Sequence, residues 1–151
     1  MNRRHFLSHA SLLTTSLMLG APSWAAEAAF PAVRIPEDKR KFKSRAVERT
    51  IETIRARIGN KELGWMFENC FPNTLDTTVD FQVVDGRPDT YLVTGDISAM
   101  WLRDSVAQVW PYLPLMKNDS DLQQLVAGVI NRQTRCILKD QIGRASCRER
   151  V

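Results

Sequence analysis

The chain has 151 residues, with 21 Lys and Arg against 17 Asp and Glu, a formal charge of +4 and a pI near 9.2. The excess sits at the ends: setting aside Arg3, Arg4, Arg144, Arg148, Arg150 and Glu149 leaves 16 basic and 16 acidic residues, so charge makes no case for nucleic acid or an anionic membrane as partner. Both histidines, His5 and His9, lie in the front segment, which excludes a Ser-His-Asp triad, a Cys-His pair and a His-ligated metal site from the remainder.

Chemistry in that remainder falls to carboxylates, Arg, Tyr, Trp and Cys. In chain order, Asn2-Arg3-Arg4-His5-Phe6-Leu7 sets a twin arginine ahead of a moderately apolar stretch, residues 10–20. That stretch is about half the ~20 apolar residues of a membrane span, so stable insertion is not expected. Ser23-Trp24-Ala25 supplies small residues before a cut after Ala25. Residues 1–25 therefore read as a twin-arginine signal peptide, with the export machinery as partner and a periplasmic or secreted destination. Residues 26–36, with Ala and Pro and no period, read as a linker.

From 37 to 58 the apolar residues Phe42, Val47, Ile51, Ile54 and Ile58 recur at mostly three- and four-residue steps, which predicts an amphipathic helix ended by Gly59-Asn60. A shorter helix is expected over 62–69, with Leu63, Met66, Phe67 and Cys70 inward and Pro72 beyond it. Alternation of Val79, Phe81 and Val83 predicts a strand over 77–84. Asp85-Gly86 is a turn, and 90–94 is a second β-rich run completing a hairpin. A helix follows over 105–113, limited by Pro111 and Pro114. Asp119 or Ser120 caps a last helix, whose Leu122, Leu125, Val126, Val129, Ile130 and Ile137 share one face. Four helices and one hairpin make the fold mainly α.

Residues 141–151, Gln-Ile-Gly-Arg-Ala-Ser-Cys-Arg-Glu-Arg-Val, have no helical or strand period and begin abruptly. They resemble the in-frame translation of a short-read sequencing adapter, and are expected to be a non-native tail. Without Cys147 the cysteines are Cys70 and Cys136. Flanked by apolar helix positions and lacking a histidine partner, they read as small buried hydrophobes, and spacing alone does not say whether they meet.

The segment Thr94-Gly95-Asp96-Ile97-Ser98-Ala99-Met100-Trp101-Leu102-Arg103-Asp104-Ser105 packs an indole, a guanidinium and two carboxylates at a change from strand to helix. Sugars are held by such a set: an aromatic face covers the C–H side of the ring, and Asp and Arg bind neighbouring hydroxyls. The competing reading makes Asp104 a helix cap, Arg103 its ion-pair partner and Trp101 core. A second polar cluster, Asn69-Cys70-Phe71-Pro72-Asn73-Thr74-Leu75-Asp76-Thr77-Thr78, reads as a turn between helix and strand.

Phe67-Glu68-Asn69-Cys70-Phe71-Pro72-Asn73-Thr74-Leu75-Asp76-Thr77-Thr78, then Thr94-Gly95-Asp96-Ile97, Ala99 to Ser105, and Ala107-Gln108-Val109-Trp110-Pro111-Tyr112-Leu113 together resemble the N-terminal part of glycoside hydrolase family 125. The resemblance spans about residues 40–140, with Ser98 where the pattern has Pro. It implies an exo-acting, inverting, metal-independent α-1,6-mannosidase built on an (α/α)6 barrel, with a mannose-containing glycan as substrate. The Trp-x-Arg-Asp element also resembles the sugar-binding segment of glucoamylase-like barrels. Carried over, Arg103 and Asp104 become ligands of the terminal mannose, with Trp101 and Asp96 as further candidates. A barrel of twelve helices needs at least roughly 200 residues, and the 115 residues from 26 to 140 supply only part of one. The resemblance places the acid Asp and base Glu further along the chain, so no residue here is assigned a catalytic role and this fragment alone is expected to be inactive. Two rival readings are a non-catalytic carbohydrate-binding protein using the same Trp, Arg and Asp, and a glucoamylase-like α-glucosidase.

Overall fold

The computed structural model describes residues 30–96, 98–139 and 146–147, the last pair by backbone alone. The signal-peptide reading of residues 1–25 and most of the tail reading of 141–151 lie outside them. Two compact units divide the chain, Met1–Pro31 and Ala32–Val151, and only Phe30 and Pro31 of the first are described. Everything below concerns the second.

The described residues form a mainly helical unit around one hairpin. A 3-10 turn at Glu37–Lys39 leads to α1 (Arg45–Arg57), α2 (Lys61–Cys70) and a π-turn at Thr74–Thr78. Strands β1 (Val79–Val84) and β2 (Arg87–Leu92) follow, then the short β3 (Met100–Trp101), α3 (Leu102–Val109), a 3-10 stretch Trp110–Asn118 and α4 (Ser120–Lys139). Ser146–Cys147, β4, pairs antiparallel with β3.

The helix predicted from residue 37 starts eight residues later, for a visible reason. The amides of Lys41 and Phe42 donate to the carbonyls of Asp76 (3.0 Å) and Leu75 (3.1 Å), so this stretch is tied to the π-turn rather than to its own helix. Ser44 then caps α1 by accepting from the Val47 amide at 3.2 Å, and Val47 and Ile51 go into the core.

Asp119 confirms the expected cap of α4, receiving the Leu122 amide at 3.0 Å. Its second oxygen accepts from Ser44 Oγ (2.6 Å) and the Ala46 amide (3.3 Å), so one carboxylate joins two helix starts. Burial opposes its charge, but these hydrogen bonds prevail and hold its pKa below the ordinary aspartate range. A lowered folded pKa adds stability above the unfolded value that is lost as pH falls through the folded one. Asp119→Ala is expected to cost about 2 kcal/mol at neutral pH. In urea unfolding at stepped pH, that cost should shrink as the wild type loses the same charge in acid.

Val79 pairs with Leu92 and Val84 with Arg87. Asp85 and Gly86 both have positive φ, 51° and 73°, as the tightest hairpin turn requires. The second strand lies over 87–92 rather than 90–94, with Pro88 inside it. Beyond α3, Pro111 and Pro114 do not end the helical path but hold it as 3-10 as far as Asn118.

Helix α4 lies on β2 through Leu122, Leu125, Val126 and Val129, against Tyr91, Leu92 and Met100. Gly128 permits the approach: a Cβ there would sit 2.8 Å from the Thr90 backbone nitrogen. Thr90 Oγ1 in turn donates to the Leu125 carbonyl at 2.8 Å. Gly128→Ala is expected to lower stability by about 1–3 kcal/mol in spite of alanine's better helix propensity, because backbone has to move. Thermal unfolding checks this, and a stabilised variant would contradict the close approach.

Two expected faces need correction. Ile130 and Ile137 are 58% and 52% exposed and lie outside the part of the α4 face that packs into the core. On α2, Leu63, Met66 and Cys70 are exposed, and the inward residues are Gly64 and, partly, Phe67. Phe67 stacks on Phe71 at 4.8 Å, and Phe71 meets Tyr112 at 5.4 Å. Cys70 is a free thiol, so it does not pair with the buried Cys136.

Candidate functional site

The Trp-x-Arg-Asp segment falls at a change from strand to helix, as its sequence suggested. Thr94 makes the corner. Its amide and its hydroxyl both donate to the Ala99 carbonyl, each at 3.1 Å, and its Oγ1 accepts the Trp101 amide at 3.0 Å. The loop between is thereby pinched shut, with Asp96 exposed on it, while Ile97 lies outside the described residues. Ala99 and Met100 anchor the return strand in the core, at 2% and 0% exposure.

The start of α3 is fixed from behind. Ser105 is fully buried and donates to the Leu102 carbonyl at 2.9 Å. Gln133, reaching over from α4, donates to Ser105 Oγ (2.8 Å) and to the Leu102 carbonyl (3.2 Å). Such second contacts stop a helix end from fraying and hold the side chains of its first turn in place. Gln133 and Thr94 were not singled out from sequence. Gln133 lies 28 residues from Ser105 and carries no local signal.

Trp101 occupies the cap position of α3 without a side-chain cap bond, and Asp104 sits in the first turn. The cap reading of Asp104 is therefore not what the geometry shows. Its ion-pair partner among the described residues is Arg103, at 3.6 Å, a loose contact with side chains 41% and 90% exposed respectively. Trp101 is 41% exposed, so it is not core either. Arg103 and Asp104 are thus brought together beside Trp101, all three facing outward. Asp96 stands apart on its loop and makes no ion pair among the described residues. A guanidinium, a carboxylate and an indole left open on a rigid corner can hold vicinal hydroxyls and the apolar side of a sugar ring.

The second polar cluster is helical rather than a simple turn. Thr77 and Thr78 donate back to the Asn73 (2.7 Å) and Thr74 (2.8 Å) carbonyls inside the π-turn. This cluster and the α3 segment line one open cleft of about 630 Å³, with Phe67, Phe71 and Thr74 on one side and Ala107, Gln108 and Pro111 on the other. Tyr112 closes its floor by donating to the Phe71 carbonyl, and burial pushes its phenol up to about 12.

Asp76, within the same cluster, is 2% exposed and held by Arg34 at 2.6 and 3.1 Å. Arg34 also grips Glu48 at 2.8 and 2.6 Å. The Arg34 hydrogen bonds draw the Glu48 pKa down against the opposing effect of burial. This partly buried network was invisible in the sequence, where Arg34 fell in the linker.

Among the described residues no group of three or more His, Cys, Asp or Glu is placed to hold a metal ion, and no helix is long and apolar enough to cross a membrane.

The model of the metal-independent α-mannosidase family, GH125, matches residues 60–147, which takes in both polar clusters, α4 and all of the cleft lining except Ile58. The meiotically up-regulated gene 157 protein of Schizosaccharomyces pombe (strain 972 / ATCC 24843) is 46% identical over 101 residues, covering 66% of this chain and 20% of that protein. The chain thus spans about a fifth of the length of that curated relative. With the family match extending over more than half of its residues, the chain belongs to glycoside hydrolase family 125.

Proposed function

We propose that the full-length protein is an exo-acting, inverting α-1,6-mannosidase built on an (α/α)6 barrel, and that Arg103 and Asp104 bind hydroxyls of the terminal mannose. The observation that carries this reading is the outward-facing Arg103–Asp104 pair on a corner braced by Thr94, Ser105 and Gln133, in a chain of this family. Trp101 supplies the ring face, and Asp96 is an accessory contact. Inversion requires an acid and a base roughly 6.5–9.5 Å apart, with water between base and sugar. Neither role is assigned to a residue of this chain.

The test is hydrolysis of α-1,6-linked mannobiose by the full-length protein, with the first-formed anomer followed by NMR. Release of β-mannose is the expected result. Release of α-mannose overturns inversion. Binding without turnover would favour a carbohydrate-binding protein, and turnover of α-linked glucose instead would favour a glucose-releasing enzyme.

The proposal extends to a periplasmic or secreted site of action. The motive is the Arg3-Arg4 pair ahead of a short apolar stretch and Ser23-Trp24-Ala25. Changing Arg3 and Arg4 together to Lys is expected to leave the precursor in the cytoplasm, read by fractionation and immunoblot. Normal accumulation outside the cytoplasm would remove the twin-arginine route.

A further inference from the structure

We propose that residues 34–42 form a strap that opens and closes as a unit over the π-turn, with Ser44 as its fixed end and Arg34 as its lock. The strap carries little apolar anchorage. Its 3-10 turn, Glu37–Lys39, contains no buried residue. Phe42 is only partly buried and meets Phe81 edge-on at 6.2 Å. What holds it is polar and concentrated. Arg34 makes four hydrogen bonds to the carboxylates of two different elements, Glu48 on α1 and Asp76 in the π-turn. The amides of Lys41 and Phe42 add two more to the carbonyls of the π-turn. Arg40 is a weaker second tie, 3.4 Å from Glu48 and 3.8 Å from Asp76.

Few apolar contacts and a small number of strong polar ones describe a segment that opens separately from the core. Ser44 marks where such opening stops, because it is buried, caps α1 and is bonded to Asp119. At its Arg34 end the strap borders an open pocket of about 330 Å³, lined by Arg34 and Ile35 together with Asn69, Asn73, Asp76 and Thr77. Opening the strap therefore uncovers the Asp76 carboxylate, 2% exposed while Arg34 holds it, and closing the strap shields it. The inference stands independently of the sugar-binding reading.

The experiment is hydrogen exchange by mass spectrometry on the full-length protein, comparing a peptide over 37–43 with one over 121–136. The Lys41 and Phe42 amides report closure directly, and those of α4 report the core. Arg34→Gln is expected to speed exchange in 37–43 by about tenfold or more, since hydrogen bonds to charged groups are large enough to shift an opening equilibrium that far. Exchange in 121–136 should not change. Equal acceleration of both peptides overturns the proposal, because Arg34 would then support the whole fold and not a separate strap. Unchanged exchange in 37–43 overturns it too. Where Arg34→Gln does not fold, Arg34→Lys, which keeps the charge and loses the forked geometry, is held to the same two criteria.

Discussion

Asp104→Asn in the full-length protein is expected to lower kcat/KM on α-1,6-linked mannobiose by at least about tenfold, or ~1.4 kcal/mol, while hardly moving the thermal transition. The structural side follows from position. Asp104 makes no cap bond, and its ion pair with Arg103 is long and open to water, the kind of contact worth about 0–1 kcal/mol. Its remaining contribution is a favourable charge in the first turn of α3, about 0.3–1 kcal/mol at an exposed site. The kinetic side is larger, because a carboxylate accepting from a sugar hydroxyl gives a charged hydrogen bond, and its loss leaves the other groups of the site unpaired. Measuring kcat/KM and thermal unfolding on one preparation separates the two. Unchanged kinetics would reduce Asp104 to a helix-start charge, and a melting shift as large as the kinetic loss would assign the effect to folding.

What could be read from the sequence was whatever depended on neighbours in the chain. The period of Leu122, Leu125, Val126 and Val129 defined α4 and its buried face, and Asp85-Gly86 defined the hairpin turn. The strand-to-helix corner at 100–102 was visible because Trp101, Arg103 and Asp104 crowd there. Periodicity overreached where it ran on past the buried part of a face. Ile130 and Ile137 continue the α4 stripe, yet they lie outside the part of it that packs into the core. Leu63 and Met66 keep helical spacing on the cleft side of α2.

The parts that were hidden depend on distant residues. The start of α1 could not be placed, because the amides that stop an earlier start bond to Leu75 and Asp76. In the π-turn, Thr77 and Thr78 read as turn formers, although back-bonding to carbonyls four residues earlier suits a helical turn equally well. Arg34 meets Asp76 across 42 positions and Gln133 meets Ser105 across 28, so neither has a local signature. The sugar-binding candidates were legible, whereas the bracing that makes their geometry definite was not.

The largest stability effect is expected at the contact between α4 and the hairpin. Arg132 and Asp89 are each 1% exposed and directly bonded, and the Arg132 guanidinium lies 5.6 Å from the centre of the Tyr91 ring. Taking both charges out of water costs several kcal/mol, repaid only while they stay paired. Asp89→Ala leaves the guanidinium buried without its carboxylate, and is expected to cost about 3–5 kcal/mol. Arg132→Met should cost less, because Arg135, 3.6 Å from Asp89 and partly exposed, can draw closer, and Gln82 already donates to Asp89 at 3.3 Å. The double variant carries no stranded charge and puts an apolar side chain of similar length beside Tyr91, so it should recover most of the loss. Urea unfolding of the four proteins measures the coupling, expected to be several kcal/mol at the upper end for residues in direct contact. Additive losses would mean that each residue stabilises the fold through other partners, and that the pair is not what fastens α4 to the hairpin.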